Sequence, residues 1–148
     1  MLYNAMMVAD YMIDRCRELK KPVSNLKLQK MLYFAWIDYH IQEGRALFLD
    51  EFCAWQFGPV IPAVYYEYCI YGGRPINIKC QLEIDDVDTQ VLNEIVDRYV
   101  DVDVNVLVEK THRSGTPWDR IYQHGAGNRR VIPFYLIEQL ECGGQYVS

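Results

Sequence analysis

The sequence predicts a mainly α fold: a compact single-domain bundle of about six to seven helices with one or two short strands or extended segments. Two observations carry that expectation. Apolar residues recur at three- and four-residue spacing in segment after segment, each opened by a capping residue and closed by Gly or Pro. The length, 148 residues with 51% hydrophobic content, suits one domain spanning 1–148, large enough to bury about 70% of its unfolded surface.

Taken in order, Asn4 is a cap for a helix whose face is Val8, Tyr11, Met12, Cys16 and Leu19, ending near Lys20 and Lys21 before Pro22. Ser24 caps a second, with Leu28, Met31, Leu32, Ala35 and Tyr39 in its stripe and Gly44 at its end. From Leu47 to Phe57 the helical period is lost, so an extended segment or short strand is expected up to the turn at Gly58 and Pro59. Pro62 suits the first turn of a helix through Val64, Tyr65 and Tyr68, which Gly72 and Gly73 stop. Weak alternation of Ile76, Ile78, Cys80, Leu82 and Ile84 predicts a second strand from Pro75 to Ile84.

Asp86 or Asp88 would cap the next helix, with Val91, Leu92, Ile95, Val96 and Tyr99 buried and an acidic start that suits the helix dipole. Asp103 restarts a shorter helix through Leu107 and Val108 to His112. Thr116, Pro117 and Asp119 form a helix-start signature for a short element carrying Trp118, Ile121 and Tyr122. HGAGNRRV then reads as a loop, and Pro133 opens a last helix with Phe134, Ile137 and Leu140, ended by Gly143 and Gly144.

Composition narrows the function. A formal net charge of −5 opposes the positive field that phosphate backbones require, so direct nucleic-acid binding is not expected. Five widely spaced cysteines, with no CxxC pair, read as reduced thiols rather than a metal or redox site. No apolar run approaches the roughly 20 residues that cross a bilayer, and the N-terminus lacks a leader pattern. A cytoplasmic chain with no cofactor, no metal and no membrane contact is the expectation.

Three stretches, KLQKMLYFA at 27–35, AWQFGPVIPAVY at 54–65 and THRSGTPW at 111–118, resemble in order and separation the Panacea (SocA-like) antitoxin domain. The resemblance covers about residues 5–140; the stretch from His124 to Ser148 departs from the family pattern. It implies a helical domain, often encoded in prophages and toxin–antitoxin pairs, that neutralises a cognate protein toxin by binding it. The toxin would come from an adjacent gene, and the resemblance further implies delivery to an energy-dependent protease. An alternative with the same fold is a phage or mobile-element inhibitor of a host defence protein.

Each motif has a structural reading beside a functional one. KLQKMLYFA is either a plain core helix or one that turns Lys27, Lys30 and Tyr33 outward to a partner. In AWQFGPVIPAVY, Trp55 either fills the core or joins Phe57 and Tyr65 as an aromatic anchor. His112 reads as a hydrogen-bonded group at a helix end, and Trp118 as a core plug beside Pro117. GAGN at 125–128 lacks the lysine–serine pair of a phosphate loop and reads as a turn. Arg129 and Arg130 offer adjacent guanidiniums that pair with carboxylates. The expected partner-contact residues are therefore Lys30, Tyr33, Trp55, Phe57, Tyr65 and Arg130. Cys53, Cys69, His40, His112 and His124 supply the residue types of a Cys/His hydrolase, but no local pattern joins a thiolate, a base and an oxyanion site, so no catalytic residue is assigned.

Overall fold

Asn4 opens the first helix by accepting, through its side-chain oxygen, the Met7 N–H at 2.8 Å, one of the donors a helix start leaves unpaired. The computed structural model describes residues 3–80 and 84–143, in which that helix, α1, spans Ala5–Glu18. Ser24 repeats the device for α2, Asn25–Glu43, which ends at Gly44 with φ +71°, a backbone that glycine adopts without strain. Strands β1 (Phe52–Trp55) and β2 (Gly58–Val60) follow, then α3 (Pro62–Glu67) with a 3₁₀ turn over Cys69–Tyr71. The second half holds α4 (Asp86–Tyr99), α5 (Val104–His112), α6 (Pro117–Tyr122), β3 (Val131–Ile132) and α7 (Phe134–Glu141). Asp103 and Thr116 cap α5 and α6 through their side chains.

The chain is mainly α, as expected, but the small sheet is larger and differently placed. β1 is central in an antiparallel order β2-β1-β3, with Trp55 opposite Gly58 and Cys53 opposite both Val60 and Val131. β2 lies where the sequence predicts only a turn, and β3 begins at Val131, the last residue of the expected loop. Residues 75–80 form no strand: Ile76 donates a single bond to Val23 O at 2.8 Å and buries its side chain without a ladder. Leu82 of that expected strand and Gly144 of the expected C-terminal stop lie outside the described residues. The start of α4 also differs. Asp85, not Asp86 or Asp88, holds the cap position.

Asp88 instead turns inward. Its carboxylate accepts from Tyr3 Oη at 2.7 Å and Tyr39 Oη at 2.8 Å, and from Arg45 at 3.2 Å. This buried acid, fully partnered as burial demands, ties the N-terminus and α2 to α4.

Helix α2 is the axis of the core. Leu28, Met31, Leu32, Ala35, Trp36 and Tyr39 are buried, but so are Gln29, Lys30, Tyr33 and Ile37 on its other sides. A helix enclosed all round carries no clean apolar stripe; α1, α4, α5, α7 and β2 all contact it. Trp36 is sandwiched between His40 and Phe134, with centroids 5.2 and 4.9 Å away, and its Nε1 donates to Phe48 O at 3.0 Å.

Candidate partner-binding site

Gln56 and Phe57 join β1 to β2 in a tight hairpin, and its main chain is gripped from two sides. From α2, Lys30 Nζ donates to Pro59 O at 2.9 Å and Gln29 Oε1 accepts the Ile61 N–H at 3.0 Å. Gln29 Nε2 donates to Asn25 Oδ1, and Asn25 Nδ2 to Tyr65 O at 3.0 Å, extending the grip to α3. From α5 and α6, His112 Nε2 sits 3.0 Å from Gln56 O and Trp118 Nε1 donates to Trp55 O at 2.7 Å. Such bonds contribute about 0.5–1.5 kcal/mol each, and leaving one buried group unpaired costs more.

Gly58 makes this approach possible. Its φ is +113°, and a Cβ there would stand 2.7 Å from Lys30 Cε and 2.8 Å from Thr111 Oγ1. The three sequence motifs therefore meet at one point: Lys30 from the first, Gly58 and Pro59 from the second, Thr111 and His112 from the third. Lys30 is fully buried and, among the described residues, meets no carboxylate. Burial pulls its amine down to about 7 because low polarity disfavours the charged form.

With the hairpin's carbonyls turned inward, its side chains form one wall of an open cleft of about 350 Å³. Trp55 meets Tyr65 edge-on at 5.1 Å and Tyr66 at 5.9 Å. Phe57 and Tyr66 are 56% and 55% exposed. Arg129 completes the cleft: its guanidinium lies 4.4 Å over the Trp55 ring, and Nη1 donates to Tyr66 Oη at 3.1 Å. The Arg129 backbone is pinned too, with φ +71° and its N–H donating to Ala54 O at 2.6 Å.

Of the residues expected to touch a partner, Trp55, Phe57 and Tyr65 come together in this cleft. Arg130 is exposed beside it, its carbonyl accepting the Ala54 N–H at 2.8 Å. Lys30 and Tyr33 correct the outward reading of the first motif, at 0% and 1% exposure; neighbours surround α2, so neither side chain reaches the surface of the free chain. Lys27 is half-buried and donates to Val100 O at 2.5 Å. Arg129 and Tyr66 line the cleft although neither was placed among the contact residues. Their signal was faint: Arg129 adjoins Arg130, and Tyr66 adjoins Tyr65.

His112 packs against Trp118 with ring centroids 3.9 Å apart and the planes tilted by 35°, its Nδ1 2.8 Å from Val108 O and its Nε2 3.0 Å from Gln56 O. Both ring nitrogens lie against main-chain oxygens, and a neutral ring donates its one N–H to either of them. Burial, aided by the nearby Glu51 charge, pushes the Cys53 thiol up, away from the thiolate a nucleophile needs. Trp118 plugs the core as expected, at 6% exposure. Among the described residues, no helix is long and apolar enough to cross a membrane.

The family described as Antitoxin SocA-like, Panacea domain, matches residues 28–119. That span contains Gln29, Lys30, Gly58, Thr111, His112 and Trp118, the groups that position the hairpin, and stops short of Arg129. Antitoxin SocA of Caulobacter vibrioides (strain NA1000 / CB15N) is 33% identical over 150 residues, covering 93% of this chain and 79% of that protein. No solved structure matches the chain significantly.

Proposed function

The chain belongs to the antitoxin SocA-like, Panacea domain family, and from that premise we propose that it is an antitoxin that neutralises a cognate protein toxin by direct complex formation. The observation that carries the proposal is the cleft: Trp55 and Phe57 on a hairpin whose main chain is held from both sides by residues of the matched span, with Tyr65 and Tyr66 of α3 beside them. Aromatic side chains on a rigid support dominate interface energetics, since they bury large area with little ordering cost. A net charge of −5 favours encounter with a basic partner over a nucleic acid. The matched span holds both the groups that grip the hairpin and the aromatic residues of the cleft, and Arg129 beyond it completes the rim.

The toxin is proposed to be the product of an adjacent gene. Co-expression with that gene should relieve its toxicity, and the two products should co-elute as a stoichiometric complex. Absence of both rescue and complex would count decisively against the antitoxin role. Delivery of the bound toxin to an energy-dependent protease is a further step of the proposal; it requires the toxin's half-life to shorten when the chain is present, whereas sequestration alone leaves it unchanged or longer.

A further inference from the structure

Among the described residues, five arginines meet carboxylates: Arg15 with Asp97 at 3.0 Å, Arg17 with Asp14 at 2.5 Å, Arg45 with Asp88 at 3.2 Å, Arg98 with Asp38 at 2.7 Å and Arg113 with Glu109 at 3.1 Å. Arg74, Arg120, Arg129 and Arg130 form no such pair there, and of these four Arg129 is the one held over an aromatic ring. Among the described residues its guanidinium has an aromatic face beneath it and one tyrosine hydroxyl beside it, and no acid. A guanidinium carries five N–H donors in a planar fork that matches a carboxylate. Holding that plane against Trp55 restricts its rotamers before any ligand arrives, so less freedom is lost on binding.

We propose that Arg129 reads the partner, and that the docking segment of the toxin presents a side-chain carboxylate next to a large apolar residue. This rests on the antitoxin reading of the cleft and names what the cleft recognises. Arg129 is the one charged side chain lining the cleft among the described residues, within a chain whose net charge is −5. A lone cation of this kind matches a single carboxylate; a polyphosphate would need several to gain from counterion release. The aromatic walls beside it, with Leu26 and Val60, take the neighbouring apolar side chain. The volume of about 350 Å³ is at the small end for ligand pockets and suits one anchor residue rather than a whole helix face. A basic toxin with a local acidic–apolar segment satisfies both the global and the local charge.

The test uses the full chain in complex with the toxin. A benzophenone side chain at position 57 should cross-link to a toxin peptide that carries Asp or Glu beside an apolar residue. R129M should weaken the complex about 10- to 100-fold, and R129K should recover only part of that, since an ammonium lacks the fork. Neutralising the cross-linked toxin acid should weaken binding to the wild-type chain by a similar factor and add little in the R129M background. Losses that simply multiply, an R129M complex within about twofold of wild type, or a cross-linked segment without an acid would each overturn the proposal. If W55A abolishes binding while R129M does not, the cleft remains the interface and the carboxylate reading alone fails. If the wild-type chain forms no complex with the toxin, the antitoxin reading itself falls.

Discussion

Replacing Lys30 by Met should flatten the pH dependence of folding between pH 7 and 9. The Lys30 amine is fully buried with Pro59 O as its partner, and burial takes it from an ordinary 10.5 to about 7. Through that window the unfolded chain keeps the proton and the folded chain sheds it, so the unfolded state binds more protons and stability rises with pH. The Lys30 contribution to the slope approaches about 1.4 kcal/mol per pH unit well above pH 7 and is about half that at pH 7, so this group alone adds ~2 kcal/mol from pH 7 to 9. Above 9 the trend reverses. Burial raises the Cys16 and Cys142 thiols from 9.0 to about 11, so the folded chain there holds protons that the unfolded chain has lost. The stability maximum should lie near pH 9. Met keeps the apolar stem but leaves Pro59 O without its donor, at a cost of about 1–3 kcal/mol. It also removes a charge-burial cost of ~4 kcal/mol at pH 7. K30M should therefore be at least as stable as wild type at pH 7, nearly flat to pH 8, and lower by about 1 kcal/mol at pH 9, where the unfolded chain's thiols ionise first. Urea unfolding followed by far-UV circular dichroism at pH 7, 8 and 9, under reducing conditions, measures both. A wild-type curve that is flat or falling over that range, or an equal slope in K30M, would refute the reasoning.

Other perturbations separate the scaffold from the surface it presents. G58A should destabilise the fold by about 2–4 kcal/mol, since the added Cβ meets Lys30 and Thr111 below 3.0 Å on a backbone at φ +113°; an unchanged urea midpoint would contradict it. F57A should leave stability within about 0.5 kcal/mol, because the ring is 56% exposed, while weakening the toxin complex at least about tenfold; calorimetric titration reads the second effect. D88N should blunt acid unfolding. Burial acts to raise the Asp88 carboxyl, but hydrogen bonds from Tyr3 and Tyr39 and the Arg45 charge outweigh it and hold it below its ordinary 3.8. Its stabilisation is thus present above that value and lost as pH falls beneath it; a pH titration by circular dichroism should show a shallower acid limb in the variant.

Local chemistry was legible in the sequence because it acts between residues a few positions apart. Asn4, Ser24, Asp103 and Thr116 each cap a helix by bonding an N–H two or three residues onward, and Gly44 ends α2 through its own left-handed backbone. Those signals mark the starts of α1, α2, α5 and α6 and the end of α2. Their failure at α4 has the same root, since three aspartates at 85, 86 and 88 offer similar local chemistry and only the distant Tyr3, Tyr39 and Arg45 select Asp88 for the interior.

What the tertiary structure alone decided is which surfaces remain. Periodicity on α2 marks one apolar stripe, but neighbours on every side also bury Lys30 and Tyr33, and no count along the chain reveals how many partners a helix has. β3 is only two residues long; it exists because β1 offers an edge, not because Val131 and Ile132 alternate with anything. The cleft follows the same rule. Trp55, Phe57 and Tyr65 were visible as a cluster because they are near in sequence, whereas Arg129 joins them only when Ala54 captures its backbone and sets its guanidinium over Trp55. Short-range hydrogen bonds and steric limits are written into neighbouring residues; enclosure, strand pairing and charge placement depend on what the folded chain brings alongside.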